Sequence, residues 1–158
     1  MSCNCSKLKP IVKFAKITED AVIPKYAREG DAGFDFYALN NIVIPPNTLG
    51  FMVPTGLKVW LPDNYELQVR DKSGMCVKTS IRVANAPGTV DSGYTGEIQI
   101  IIDNFSNEEY IITDKNRRIA QGVLQYVPPV EIEEISLEEI ESRVTERGSG
   151  GFGSTKLD

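Results

Sequence analysis

Apolar residues along this chain recur mainly with a period of two and in short runs. Tyr65, Leu67 and Val69 alternate with Glu66, Gln68 and Arg70, as in a strand buried on one face. Ile11–Ile17 is apolar with interspersed lysines. Gly33–Leu39 and Ile42–Ile44 read as strands joined by a hairpin turn at Asn40-Asn41. Leu49–Trp60 is broken at Pro54 and Gly56, which predicts two strand pieces or one bulged strand. Ile98–Ile102 is nearly continuous and β-branched, the pattern of a strand buried on both faces, and Gly122–Val127 adds another. So many short strands before about residue 128 predict an all-β sandwich or barrel.

Helical signals are few. Ser73–Lys78 has room for about two turns. Ser136 followed by Glu139 is a capping box ahead of Ile140. Seven glutamates over 131–147 predict a solvated arm with at most a short helix. No repeat and no linker between two cores is visible, so residues 1–128 form the domain and 129–158 an arm belonging to it.

Composition narrows the chemistry. The net charge is −5, without the basic excess of a nucleic-acid-binding surface. No histidine is present, which removes Ser-His-Asp and Cys-His catalysis and histidine-ligated metals. The three cysteines, Cys3, Cys5 and Cys76, are too few for a tetrahedral zinc site, and their odd count argues against a disulfide framework. Base chemistry falls to a carboxylate, Lys or Tyr, and a metal would be a hard ion such as magnesium. No run approaches the length of a membrane span, and Met1–Pro10 lacks the apolar core of a secretory signal. The expected location is cytoplasmic, bacterial or, for a phage or virus, in the host cytoplasm.

Five segments carry candidate chemistry. Ala32-Gly33-Phe34-Asp35-Phe36-Tyr37-Ala38 sets a carboxylate between two aromatic residues, which is costly unless Asp35 is paired or faces a site. Lys72-Ser73-Gly74-Met75 lies at a strand-to-helix junction, where backbone N–H groups suit phosphate and Ser73 alternatively caps the helix. Gly88-Thr89-Val90-Asp91-Ser92-Gly93-Tyr94-Thr95-Gly96-Glu97 reads by itself as a tight turn. Flanked by strands, it places Asp91 and Tyr94 on a hairpin, and Asp91 can serve as general base for a water. Arg118-Ile119-Ala120-Gln121 sets two polar residues on a strand. Arg147-Gly148-Ser149-Gly150-Gly151-Phe152-Gly153-Ser154-Thr155 lacks the strand and helix of a dinucleotide fingerprint. It is either a solvated tail or a phosphate-gripping flap, with glycine N–H groups and Arg147 around an anion and Phe152 stacked on a base.

In order and spacing, these segments resemble the five motifs of the trimeric dUTP diphosphatases (dUTPases). The resemblance runs from about residue 10 to 155. It implies a jelly-roll domain in a homotrimer, with active sites shared between subunits and closed by the C-terminal arm. It implies Mg2+-dependent cleavage of dUTP to dUMP and pyrophosphate by water attack on the α-phosphate. That reaction limits uracil incorporation into DNA and supplies dUMP for thymidylate synthesis. Asp91 matches the residue that activates the water, and Tyr94 the one beneath the deoxyribose. Asn85, with Gly88, Thr89 and Val90, matches the uracil-reading hairpin. Asp35 matches the carboxylate near metal-bound water, the Mg2+ being held mainly by the triphosphate. Lys72, Ser73, Gly74 and Gln121 match phosphate contacts. Arg147, Gly148, Ser149 and Gly150 match the γ-phosphate grip, and Phe152 the ring on uracil.

The chain departs from the family pattern in Lys72, where arginine is usual, and in Gly122, where a larger apolar residue is common. Lysine keeps the charge but loses the bidentate fork. Two other readings compete: a dCTP deaminase-like enzyme of the same fold, and a dUTPase with an added regulatory, protein-binding role hinted at by the long acidic arm. The intact Asp91 and the arm's flap favour the diphosphatase.

Overall fold

The computed structural model describes residues 9–151; Cys3, Cys5 and Phe152 lie outside the described residues. The chain divides into two units, Met1–Pro128 and Pro129–Asp158. The first unit runs β1 (Lys13–Lys16), β2 (Phe34–Tyr37), β3 (Ile42–Ile44), β4 (Thr48–Pro54), β5 (Leu57–Trp60), β6 (Tyr65–Arg70), α1 (Ser73–Lys78), β7 (Ile81–Val83), β8 (Gly88–Asp91), β9 (Gln99–Asn104), β10 (Tyr110–Ile112) and β11 (Arg118–Tyr126). One sheet has the order β2-β11-β6-β8 and a second the order β4-β9-β7, with β1–β5 and β3–β10 as two-stranded ribbons. Every pairing is antiparallel, giving an all-β fold of the jelly-roll type. Among the described residues no helix is long and apolar enough to cross a membrane.

Alternation decides which face each strand buries. Phe34 and Phe36 of β2 are buried while Asp35 and Tyr37 are half-buried on the opposite face. In β6, Leu67 and Val69 go inward and Glu66, Gln68 and Arg70 outward. The cross-strand register then sets Asp35, Gln121 and Arg70 side by side on the polar face of the four-stranded sheet. On the core side, Phe14, Phe34 and Phe36 meet edge to face with ring centroids 5.7–6.3 Å apart, the favoured geometry for aromatic pairs.

The structure departs from the sequence pattern in three places. Asn40-Asn41 does not close a hairpin: β2 pairs with β11, and β3 pairs with β10. The segment crosses between sheets, and local turn residues cannot report a partner strand about 80 positions away. The β8–β9 connection is likewise a crossover, since β8 pairs with β6 while β9 pairs with β4 and β7; β7 and β8 also lie in different sheets. Finally, Ile98, Ile100 and Ile102 are buried but Ile101 is only half-buried, so β9 covers the core with one face.

α1 forms where expected, with Lys72 at its N-cap position and no side chain capping it; the alternative of a Ser73 cap is not realised. In the second unit Ser136 Oγ accepts the Glu139 N–H at 3.1 Å and starts α2 (Leu137–Glu141).

Gly122 has a packing reason. It lies opposite Phe34 on one side and Val69 on the other. A Cβ there would come within 2.5 Å of Phe34 Cε2 and 2.7 Å of Phe36 Cε2. The two rings of β2 fill the space that a larger residue on β11 would need. Gly122→Val should therefore cost about 1–3 kcal/mol through overpacking, lowering the melting temperature by roughly 2–4 °C per kcal/mol for a chain of this size. A thermal melt checks this, and an unchanged midpoint with Phe34 intact contradicts it.

Candidate active site

Apart from Asp35, the sequence-predicted residues of the first unit gather in two clefts. One, of about 270 Å3, is lined by Asn85, Gly88, Thr89, Val90, Asp91 and Tyr94, with Met52, Glu97 and Ile101 on its other walls. The other, of about 520 Å3, contains Lys72, Ser73, Gly74 and Gln121 together with Lys78, Lys115 and Arg118. The first cleft has two carboxylates and no cation in its lining; the second has four cations and no carboxylate.

The first cleft is built by β8 and the loop after it. Asp91 ends β8, opposite Glu66 on β6, and among the described residues it forms no ion pair. Its carbonyl accepts the Tyr94 N–H at 3.0 Å, which folds the loop back so that both side chains border one space. Gly88 is required by proximity: a Cβ there would sit 2.8 Å from Asn85 Nδ2, so its absence lets the Asn85 amide lie against β8. An exposed, unpaired carboxylate beside an amide and a phenol offers a proton acceptor, a reader of hydrogen-bond edges and a flat ring.

The second cleft is built where β6 runs into α1 and where β11 begins. Gln121 Nε2 donates to the Asp71 carbonyl at 2.8 Å, fixing the amide beside Lys72 and Ser73. A Cβ at Gly33 would lie 2.7 Å from Gln121 Oε1, so glycine on the neighbouring strand leaves that amide its room. The Asp71 carboxylate accepts the Val83 N–H at 2.7 Å and so ties the α1 entrance to β7. Four cations in one cleft, two of them paired to Asp35, give it the charge that suits a polyanion.

Asp35 is the best-satisfied carboxylate of the unit. Its Oδ1 is ion-paired to Lys72 Nζ and its Oδ2 to Arg118 Nη1 at 3.3 Å, with its side chain 15% exposed. The cost foreseen for a carboxylate between aromatics is offset by these two partners. Among the described residues no three His, Cys, Asp or Glu side chains gather as a metal cage. Asp35 is the carboxylate that reaches the cations of the basic cleft, through Lys72 and Arg118, and carboxylate oxygens are donors of the kind a hard ion takes.

In the second unit, Arg147 Nε donates to the Gly150 carbonyl at 2.9 Å and the Gly150 N–H returns to the Arg147 carbonyl at 3.1 Å. Gly148 takes φ +52° inside this turn, a left-handed value that glycine adopts freely. Arg147, Gly148, Ser149 and Gly150 thus form a compact turn, and Phe152 lies outside the described residues.

Sequence reasoning missed Asp71, Lys78, Lys115 and Arg118 as site residues. Arg118 belongs to one of the five segments and Asp71 immediately precedes another, but nothing local signals that Arg118 reaches Asp35 across 83 positions. Lys78 and Lys115 carried no signal in the chain.

A family model described as dUTPase matches residues 19–156. The deoxyuridine 5'-triphosphate nucleotidohydrolase of Clostridioides difficile is 41% identical over 144 residues, covering 91% of this chain and 96% of that protein. The protein of the same name from Fusobacterium nucleatum is 45% identical over 146 residues, covering 91% and 97%. Among solved structures, the Staphylococcus bacteriophage 80alpha dUTPase with dUpNHpp superposes with a TM-score of 0.77 at 24% identity, covering 93% of this chain and 99% of that one.

Because Asp35 is held by charge on both oxygens, Asp35→Ala should destabilise the protein by about 1–3 kcal/mol at low salt. The loss should shrink at high ionic strength, since Arg118 is largely exposed. Melts in low and high salt measure this; a loss independent of salt would assign it to packing instead.

Proposed function

This chain belongs to the dUTPase family, and from that premise we propose that its two clefts are halves of one active site, completed between subunits of a homotrimer, which cleaves dUTP to dUMP and pyrophosphate. The observation that carries the proposal is the separation of charge. No cation lines the cleft that holds Asp91, and no carboxylate lines the cleft that holds the four cations, Asp35 reaching two of these, Lys72 and Arg118, from outside that lining. Neither half suffices: a nucleotide needs its base and sugar in the first and its phosphates in the second. Exposed apolar residues of the first unit support association: Leu49 is 70% and Phe105 60% exposed, and the register partners Val43 and Ile111 are 49% and 48% exposed.

In this reading Asn85 presents its amide to the uracil edge, with Gly88, Thr89 and Val90 supplying the neighbouring wall. Tyr94 lies beneath the deoxyribose, where its ring leaves no room for a 2′-hydroxyl. Lys72, Ser73, Gly74, Gln121 and Arg118 receive the phosphates. The arm's Arg147, Gly148, Ser149 and Gly150 grip the γ-phosphate and Phe152 stacks on the base. Asp35 is the carboxylate that would stand beside a magnesium ion carried on the substrate's phosphate oxygens, and such an ion would offset the charge of the triphosphate.

Asp91 accepts a proton from a water whose oxygen attacks the α-phosphorus. The new P–O bond forms as the bond from that phosphorus to the bridging oxygen of the β-phosphate breaks, and pyrophosphate carries off the electron pair. Such transfer needs alignment and charge stabilisation more than covalent help. The names of the relatives favour this over deamination of dCTP. The expected role is to limit uracil incorporation into DNA and to supply dUMP for thymidylate synthesis.

Pyrophosphate release from a panel of dNTPs and UTP tests the reading, with selective turnover of dUTP expected. Asp91→Asn should keep dUTP binding and lose about 10²–10⁴-fold in kcat, the range of general base catalysis. Release of ammonia from dCTP without pyrophosphate, or near-normal turnover by the Asn variant, would refute it.

A further inference from the structure

An apolar wall rejects a substrate bearing one added hydroxyl only weakly unless the wall is held in place. Tyr94 is 46% exposed, so core packing alone does not hold it. Its phenolic O–H donates to the Glu97 carbonyl at 2.9 Å. The phenol fills the space over Gly96, where a Cβ would lie 2.3 Å from its oxygen. The seat of the ring is therefore only as firm as the Glu97 backbone.

That backbone is fastened from the other side. Glu97 Oε1 accepts the Gly56 N–H at 2.8 Å. The next residue is bonded twice to the same bend: Ile98 N–H donates to the Leu57 carbonyl at 2.8 Å, and the Ile98 carbonyl accepts the Thr55 hydroxyl at 2.6 Å. Thr55 is buried. Gly56 takes φ +69°, and a Cβ there would meet Leu39 Cδ1 at 2.9 Å and Ala21 at 3.0 Å, so the bend is fastened into the core. Gly56 and Thr55 lie about 40 positions before Glu97, on the β4–β5 junction.

We propose that Glu97 is a positioning residue for sugar selection: its carboxylate pins the loop to Gly56 while its carbonyl holds the Tyr94 phenol, so the ring cannot yield to a ribose. This rests on Tyr94 lying beneath the deoxyribose, as proposed above. Glu97 acts through Tyr94 and takes no proton. What the interaction with Gly56 needs is an oxygen acceptor of the right reach, not a charge, and Glu97→Gln supplies one.

The test is kcat/KM for UTP relative to dUTP, read by pyrophosphate release, in Glu97→Ala, Glu97→Gln, Tyr94→Phe and Tyr94→Ala proteins. Glu97→Ala and Tyr94→Phe should each raise the UTP/dUTP ratio about 3- to 10-fold, the effect of one lost hydrogen bond, with Glu97→Gln within about twofold of the parent. The Glu97→Ala, Tyr94→Phe double variant should show no multiplied effect, because both break one link. A Glu97→Ala ratio equal to the parent's, while Tyr94→Ala raises it, overturns the role of Glu97 and leaves that of Tyr94 intact. A Glu97→Gln protein as impaired as Glu97→Ala also overturns it, since charge would then be what matters. A ratio unmoved by Tyr94→Ala refutes instead the underlying placement of Tyr94. Should Glu97→Ala fail to fold, Tyr94→Phe decides alone: an unchanged ratio means the phenol link does not set selection.

Discussion

A hydrolytic site for a nucleoside triphosphate must bring a free carboxylate and a cluster of cations to the same phosphorus. Held side by side in one chain, they would pair: unit charges 4 Å apart attract by about 4 kcal/mol at the effective dielectric of a protein surface. This chain displays that outcome at Asp35, whose two oxygens are taken by Lys72 and Arg118. Asp91 escapes it because no cation lines its cleft. Asp91 is thereby left without an ion pair among the described residues, and in the proposed reading one chain holds only half of what the reaction needs. In that reading assembly of subunits would supply the other half, and a triphosphate would meet a cleft in which Lys72 and Arg118 share Asp35 while Lys78 and Lys115 have no ion pair among the described residues.

The sheets make the separation possible. β2, β11 and β6 set Asp35, Gln121 and Arg70 in one cross-strand row, and α1 follows directly from β6 to deliver Lys72, Ser73 and Gly74. β8 leaves at the edge of the same sheet and crosses to the other, so the Asp91–Glu97 loop is fastened to both. Small residues keep these placements open. Gly33 leaves room for Gln121, Gly88 for Asn85, Gly96 for Tyr94 and Gly122 for the β2 rings.

Strands with clear alternation were legible in the sequence: β6 from Tyr65, Leu67 and Val69, the β4 and β5 pieces from the breaks at Pro54 and Gly56, and α2 from its Ser136 cap. What was not legible was pairing. Asn40-Asn41 looks like a hairpin turn, yet each neighbouring strand finds its partner far along the chain, because register follows burial of a whole face and not the turn. Candidate residues that cluster in sequence, from Asn85 to Tyr94, come together in one cleft, although Asn85 is named only through the family resemblance. Arg118 and Lys115 were not legible, since their meaning arises only when β11 returns beside β2 and α1. Gly122 had no reading until the rings of Phe34 and Phe36 were seen to fill its space.

The central claim is that one active site takes its base from one subunit and its phosphate grip from another. Mixing Asp91→Asn subunits with Lys72→Ala, Gln121→Ala subunits, after dissociation and reassembly, tests it most directly. Each variant alone is expected to be nearly inactive. In a mixed trimer, a site that pairs the intact first cleft of one chain with the intact second cleft of the other is whole. Pyrophosphate release should then rise to about one active site in three per mixed trimer, by the geometry of a closed three-fold ring. Mixed trimers no more active than the sum of the parents would mean that each chain holds a complete site, and would contradict the account.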